Sequence, residues 1–296
     1  MKPKKLIQFD WAIKTLLRQK KNFPILEGFL SELLGTAVKI ESLLASESNK
    51  KHATDKSNRV AVFAMLGNGE HVIIEVQCER QWDFLSRMLY GVSKVVVEHL
   101  QAGERYGTLP RVISVNIVYF NLGHGADYIY HGTTQFKGIH KKDTLQLSEK
   151  EKEHYPISID QLSHIFPEYY VLKVSGFDLK IRNTLDEWVY ALKESEVKPE
   201  FKAKGIKEAG EKLTLLHLSE DEHHAYERYI RDMRISLSTL DSALSDGRAE
   251  GLAEGLAKGK KEGLVEVAIK LHQLGLPMNQ IVCATGFTIE QLKELL

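Results

Sequence analysis

Two β-branched, apolar runs on either side of a Gly-Asn-Gly turn constrain the fold of this chain more than any other feature. The runs read RVAVFAML and EHVIIEVQ. A Gly-Asn-Gly segment between such runs is a strong signal for a β-hairpin. With the turn centred on Asn68, Val62 lies opposite Ile74 and Ala64 opposite Val72, so one face is wholly apolar. A slip of one residue would destroy this segregation, and the sequence therefore predicts the register of the hairpin.

The other face of the predicted hairpin carries the polar side chains. It pairs Glu75 with Ala61 and Gln77 with Arg59, and strand alternation puts Glu75 and Gln77 side by side. Metal-dependent phosphodiesterases need carboxylates that converge on Mg²⁺ and a group that positions the attacking water. A carboxylate across from Glu75 would lie about 5 Å away, suitable for sharing one ion. Position 61, however, holds alanine.

The rest of the first 240 residues mixes helical and extended patterns. Apolar residues at helical spacing predict helices, and short β-rich runs predict strands. The order helix, helix, hairpin, helix, strand predicts a mixed α/β core. The predicted helices cover 9–21, 23–35, 82–102, 183–195 and 208–240, and the predicted strands outside the hairpin cover 39–44, 112–119, 128–130 and 171–174.

A glycine repeat and a short helical tail follow. Glycine recurs at every fourth position from Gly247 to Gly263. Each glycine inside a helix costs about 1 kcal/mol relative to alanine, so both a flexible linker and a helix packed tightly on a partner helix stay open. The tail, 265–296, resembles a small helix-turn-helix with Thr288 as a cap. Because its recognition segment lacks arginine, packing or oligomerisation is favoured over DNA reading.

Composition excludes several classes of protein. The two cysteines, Cys78 and Cys283, are too few and too far apart for a disulfide framework or a Cys-based zinc site. No apolar run approaches the ~20 residues of a membrane span, and the N-terminus does not read as a signal peptide. A cytoplasmic protein without a membrane partner is expected. The net formal charge is zero, but residues 1–60 carry a basic excess that either binds phosphate or is simply solvated.

Several segments in order carry a resemblance to a known family. FDWAIKTLL, NRVAVFA, GNGE, IIEVQ and the glycine-repeat tail resemble the Rpn family of recombination-promoting nucleases and transposases, within the PD-(D/E)XK superfamily. The E-x-Q motif matches Glu75 and Gln77, and the N-terminal motif matches Asp10 and Lys14. The family normally has aspartate where this chain has Ala61. The resemblance implies an α/β, restriction-endonuclease-like core, a mixed sheet flanked by helices, with an all-helical C-terminal extension.

The resemblance also implies roles for individual residues. Glu75 would ligate Mg²⁺, Ala61 stands where the second metal carboxylate belongs, and Gln77 would orient the water. Asp10 would complete the acidic metal site or hold an outer-shell water. The residues expected to contact DNA are Lys14, Arg59, Arg87 and Tyr90.

The expected function is a Mg²⁺-dependent endonuclease of double-stranded DNA, linked to recombination, transposition or defence. Without the aspartate at position 61 this form would be inactive or impaired. Either the lineage lost catalysis, or the residue was changed to silence a toxic nuclease, and the other intact motifs favour the second. The alternative is a catalytically dead protein that binds DNA or a partner and oligomerises through its C-terminal helices.

Ordinary structural roles are the competing interpretations of the site residues. Glu75 would then face solvent, Asp10 would be a helix N-cap, and Arg87 and Tyr90 would be surface or core-edge residues. The predicted domains are a nuclease-like domain over 1–205, a helical glycine-repeat segment over 206–264 and the helical tail over 265–296.

Overall fold

The structure is a computed structural model that describes residues 4–5, 7–44, 62–98, 105–155, 161–214 and 218–296. By its internal contacts the chain divides into two compact units, Met1–His223 and His224–Leu296. The boundaries predicted from the sequence, after residues 205 and 264, stay predictions. Among the described residues no helix is both long enough and apolar enough to cross a lipid bilayer.

Six strands of the described chain form one mixed sheet in the first unit. Its order is β2-β3-β4-β5-β7-β6, and β1 pairs separately with β8. β2, β3 and β4 are antiparallel neighbours, β4, β5 and β7 run parallel, and β6 closes the far edge in the antiparallel sense. The strands are β1 (Lys4–Lys5), β2 (Ile40–Leu43), β3 (Val62–Leu66), β4 (His71–Gln77), β5 (Val112–Val118), β6 (Ile129–Gly132), β7 (Glu168–Lys173) and β8 (Glu196–Val197).

The hairpin β3–β4 has the register that the sequence predicts. Val62 pairs with Ile74 and Ala64 with Val72, and all four side chains are fully buried. Gly69 in the turn has φ 82°, a backbone conformation that glycine adopts without steric cost. The predicted pairs that involve positions 59 and 61 lie outside the described residues.

Helices cover both faces of the sheet. On one face the rings of Phe9 and Phe29 lie 6.2 Å apart and those of Phe29 and Trp188 lie 5.6 Å apart, which joins α1, α2 and α5. On the other face α3 packs Val92 and Val95 of its buried side against the hairpin. The α/β fold of a mixed sheet flanked by helices is thus confirmed. The first-unit helices are α1 (Phe9–Thr15), α2 (Phe23–Leu34), α3 (Phe84–Glu98), α4 (Glu149–Lys152), α5 (Thr184–Glu194) and α6 (Ile206–Lys212).

The predicted helix over 9–21 is too long. α1 ends at Thr15, and the side-chain amide of Asn22 donates to the carbonyl of Leu16 at 2.9 Å, which satisfies a backbone acceptor at the end of the helix. A short 3-10 turn then leads into α2, which has Pro24 in its first turn. Proline fits there because a first-turn N–H has no helical partner to lose.

The predicted helix over 208–240 is interrupted. It divides into α6 and a separate long helix that begins at Glu220, and residues 215–217 between them lie outside the described chain. α6 belongs to the first unit, where Ile206 and Ala209 are fully buried. The helix predicted over 82–102 begins only at Phe84 and is described to Glu98.

The glycine repeat lies inside one continuous helix, α7 (Glu220–Gln273). The flexible-linker interpretation is therefore wrong because the repeat is helical, and close packing on a partner helix stays a prediction. A Cβ placed on any of the five glycines from Gly247 to Gly263 would meet no atom within 4 Å in the described chain. The described part of the chain therefore makes no close contact with these glycines that would offset their cost in helix stability.

The tail adds two short helices, α8 (Met278–Thr285) and α9 (Ile289–Leu295). Ala268, Ile281 and Leu292 form a small apolar core of their own. The predicted cap is confirmed, because the hydroxyl of Thr288 accepts from the backbone N–H of Gln291 and the Gln291 side chain accepts in return. The tail therefore uses its apolar residues to pack on itself.

Candidate active site

Glu75 lies in the interior of the first unit, near the carboxyl end of β4. Only 4% of its surface is exposed, so the solvent-facing interpretation is wrong. Nη2 of Arg87, from the first turns of α3, lies 2.5 Å from Oε1 of Glu75. Nη1 of the same guanidinium donates to Oε1 of Gln81 at 2.8 Å. A buried carboxylate needs such a partner, because removal from water strongly disfavours an isolated charge.

The parallel pairing of β4 with β5 places Asn116 directly beside Glu75. The two residues are register partners, so their side chains lie on the same face of the sheet. Asn116 is fully buried. Its Nδ2 donates to Oγ of Ser114 at 2.9 Å and to the carbonyl of Tyr170 at 3.3 Å. A carbonyl can only accept, so this contact fixes which way the amide is turned.

Oδ1 of Asn116 has no hydrogen-bond partner in the described part of the chain. A buried acceptor without a partner costs about 1–3 kcal/mol, so a native structure normally supplies a water or a cation. Sequence reasoning did not single out this residue. The available signal was an asparagine in the middle of the apolar run VISVNIV, where every position is buried.

Gln77 follows Glu75 on the same face of β4 and is half-buried. Its Nε2 donates to the carbonyl of Glu79 at 3.2 Å, which holds the side chain at the end of the strand. The sheet ladder continues past it, since the backbone N–H of Tyr119 donates to the carbonyl of Gln77. The E-x-Q pair thus lies at the carboxyl ends of parallel strands, the edge where open α/β sheets bind ligands.

Asp10 approaches the same end of the sheet from α1. The N-cap of α1 is Gln8 and Asp10 lies in its first turn, so the N-cap interpretation is wrong. Asp10 is only 5% exposed. Burial raises the pKa of the Tyr119 phenol above its usual range, and electrostatic interactions with Cys78 and Asp10 raise it further. Asp10 is therefore close to the residues that directly follow β4 and β5.

Asp10 and Glu75 reach that end of the sheet from different faces. The hydroxyl of Tyr119 donates to the carbonyl of Leu192 in α5, so Tyr119 lies on the side of α1, α2 and α5. Glu75 instead pairs with Arg87 from α3. Direct participation of Asp10 at Glu75 stays a prediction.

The predicted DNA contacts stay predictions. Arg87 is the ion-pair partner of Glu75, and its Nε has no hydrogen-bond partner among the described residues. Tyr90 is 48% exposed on α3. Ala61 and Arg59 lie outside the described residues, and so does the side chain of Lys14.

The side chains around Glu75 offer the oxygen ligands that Mg²⁺ prefers, but they are few. Carboxylate and amide oxygens are the ligands that Mg²⁺ prefers, and it commonly uses one or two carboxylates with water and substrate phosphate for the rest. Glu75 and Oδ1 of Asn116 supply such oxygens on one face. No group of three or more His, Cys, Asp or Glu side chains that could hold a metal occurs in the described part of the chain.

A second buried charged cluster lies at the opposite, amino ends of the parallel strands. Arg111 bridges Glu70 and Glu168, and His131 lies 2.6 Å from the second of these carboxylates. Its members are distant in sequence and meet because β4, β5 and β7 are parallel neighbours. No local sequence pattern therefore predicts this cluster. Each carboxylate has a cationic partner, which is typical of a structural network.

The match of this chain to known proteins is at the level of the family. Neither a search of curated proteins nor a search of solved structures finds a match to the chain. A family model described as PD-(D/E)XK nuclease family transposase matches residues 7–240, from just before α1 into the first part of α7. The matched span contains the whole sheet, Asp10, Glu75 and Arg87. This chain therefore belongs to the PD-(D/E)XK nuclease family transposases.

Proposed function

We propose that the protein is a Mg²⁺-dependent endonuclease of double-stranded DNA, that it acts in recombination, transposition or defence, and that Ala61 impairs it. Membership of a nuclease family supports a nuclease-like function. The observation that carries the site assignment is the buried Glu75 carboxylate beside the unpartnered Oδ1 of Asn116. The family motif has aspartate at position 61, and this chain has alanine.

Bound Mg²⁺ would lower the pKa of a coordinated water and neutralise charge on the scissile phosphate. The residues that would hold it are Glu75 and Asn116, with Asp10 reaching the site directly or through a water. Gln77 would orient the attacking water by hydrogen bonds. Because its amide carries no charge, Gln77 cannot stabilise negative charge as the lysine of the commoner E-x-K motif does.

Arg87 has two roles in this proposal. In the absence of a divalent cation it compensates the buried charge of Glu75. A cation bound at Glu75 would repel the guanidinium, which would then be available for a phosphate of the DNA. Arginine suits this second role because its planar fork binds phosphate oxygens in a bidentate manner, and Nε of Arg87 is a donor not yet used within the described chain.

Ala61→Asp tests the proposal. The added carboxylate should allow cleavage of duplex DNA that depends on Mg²⁺, measured by conversion of supercoiled plasmid to nicked and linear forms. Adding Glu75→Ala should abolish the cleavage, since the ion would lose its buried ligand.

Ala61→Asn is the matched control. Its side chain has the same size without the charge, so it should cleave far more slowly than Ala61→Asp. The proposal would be contradicted if folded Ala61→Asp protein, verified by circular dichroism, cleaves none of several duplexes with Mg²⁺ or Mn²⁺.

A second candidate is a catalytically dead protein that binds DNA or a partner and self-associates through its C-terminal helices. The observation in its favour is the row of leucines on α7 that are each more than half exposed in the described chain: Leu237, Leu240, Leu244, Leu252 and Leu256. It predicts that the unchanged protein retains DNA without metal, with affinity falling steeply as salt rises. Unaltered retention between low and high salt would exclude a phosphate-dominated contact.

A further inference from the structure

One side of α7 carries apolar residues at coiled-coil spacing. From Tyr226 the chain advances by alternating steps of four and three residues to Leu244, and two glycines continue the series. An average spacing of 3.5 residues is the pattern of a helix that packs along its length on another helix. These residues are called the seam: Tyr226, Ile230, Met233, Leu237, Leu240, Leu244, Gly247 and Gly251.

The seam is half-buried at Tyr226, Ile230 and Met233 and exposed from Leu237 to Gly251. Leu237, Leu240 and Leu244 are each 53% exposed. Three exposed leucines in successive turns form an apolar strip, which soluble proteins normally bury in an interface. Positions Gly247 and Gly251 have open space where a Cβ would lie.

The charged residues beside the seam favour a second copy of the same helix, in the antiparallel direction. The positions that follow every second seam residue hold Glu227, Arg234, Asp241 and Arg248, so the signs alternate along the helix. Flanking positions of this kind form the ion pairs between helices of a coiled coil. Against an antiparallel copy of itself, the row pairs Arg234 with Asp241 and Glu227 with Arg248, and the two-fold symmetry makes each pair twice.

The same alignment also matches large side chains with small ones. It places Leu237 opposite Leu240, Met233 opposite Leu244, Ile230 opposite Gly247 and Tyr226 opposite Gly251 of the second copy. A glycine leaves room for the bulky side chain across from it, as interdigitated packing requires. This contact gives the two glycines a reason to lie inside a helix, where each costs about 1 kcal/mol.

A parallel alignment of two copies forms no flanking ion pairs and does not place large side chains opposite the glycines. In register, it would stack Gly247 on Gly247 and Gly251 on Gly251, which leaves gaps. Its flanking pairs would join Ser236 to Asp241 and Ala243 to Arg248, without an ion pair.

We propose that α7 pairs with α7 of a second copy of this chain as an antiparallel two-helix coiled coil over Tyr226–Gly251.

This inference rests on the self-association proposed above and is independent of the proposed cleavage. The first test is sedimentation equilibrium of the full chain. The unchanged protein should be a dimer. Leu237→Asp with Leu240→Asp should convert it to a monomer, because both central layers would bury carboxylates.

The control for this test is Ile235→Asp with Ser242→Asp. Both residues are exposed on the side of α7 away from the seam, so the pair adds the same charge and should leave the dimer intact. A monomeric unchanged protein, a trimer or larger assembly, or a dimer that survives the seam substitutions would overturn the proposal.

A charge exchange tests the direction. Arg234→Asp alone, or Asp241→Arg alone, should raise the dissociation constant of the dimer several-fold, because like charges then face each other. The double exchange should restore the original value, since Asp at 234 again meets Arg at 241. Single exchanges that have no effect, or a double exchange that dissociates further, would overturn the antiparallel alignment.

Cleavage is measured in parallel to separate the two proposals. Ala61→Asp protein that cuts DNA but is monomeric contradicts only the coiled coil. Dimeric Ala61→Asp protein that does not cut contradicts only the nuclease.

Discussion

At the scale of single residues, the central feature of the candidate site is a buried carboxylate whose charge is compensated by an ion pair. Glu75 and Arg87 are close to each other because α3 crosses the face on which Glu75 points. Neither the hairpin pattern nor the helical periodicity of α3 predicts this ion pair, since each describes one element at a time. The family resemblance implies a metal ligand at Glu75 and a DNA contact at Arg87, and both roles stay predictions.

Arg87→Ala should destabilise the protein strongly. It leaves the buried Glu75 carboxylate without its cation, and breaking a buried pair costs about 3–5 kcal/mol. Urea denaturation should show a free energy of unfolding lower by about 3 kcal/mol. Arg80→Ala, which removes an exposed guanidinium stacked on Trp82, should change the free energy by less than about 1 kcal/mol.

A second substitution distinguishes whether the stability loss of Arg87→Ala comes from the uncompensated charge or from lost packing. Adding Glu75→Gln to Arg87→Ala removes the uncompensated carboxylate and should recover a large part of the lost stability. Equal stability of the single and double variants would contradict the account, because the loss would then come from packing alone.

At the scale of elements, close backbone approach fixes the helices around the sheet. Gly28 in α2 faces the loop before α6, where a Cβ would meet the carbonyl oxygen of Lys204 and lie 2.7 Å from Cα of Gly205. Both contacts are with backbone, which cannot move aside without shifting α6. Sequence reasoning missed this contact because Gly28 reads as one more residue of an amphipathic helix.

Gly28→Ala should therefore be destabilising, although alanine favours helices more than glycine does. Overpacking of this kind costs about 1–3 kcal/mol, and thermal unfolding should show a lower midpoint. Gly67→Ala is the matched control, because the nearest atoms to its Cβ would be 3.9 Å away. A midpoint for Gly28→Ala at or above that of the unchanged protein would contradict the close approach.

Elements whose contacts are local were predicted best. The predicted register of the β3–β4 hairpin is correct at its described pairs, because only four residues join the strands and both patterns meet at one turn. The parallel pairing of β4 with β5 was not predicted, since the partners Glu75 and Asn116 are separated by a whole helix. The role proposed for Asn116 depends on that long-range register.

At the scale of the whole molecule, the chain combines a family fold with a helical region that the sequence left ambiguous. The α/β core follows from the order of its elements and from the family resemblance, and both are confirmed. The glycine repeat was compatible with a linker or a helix, because a four-residue glycine period is costly in a helix but does not forbid one. The structure resolves this ambiguity in favour of a helix of 54 residues.

The central claim is that Glu75 is the carboxylate that holds the catalytic cation. The most direct test is a crystal structure of the Ala61→Asp protein soaked in Mn²⁺, with the ion located by anomalous scattering. The account predicts a peak about 2.0–2.3 Å from a Glu75 carboxylate oxygen, close to the distances that hard cations adopt, with the Arg87 guanidinium displaced from Oε1. The account would be contradicted by ordered Mn²⁺ elsewhere while Arg87 still holds Glu75.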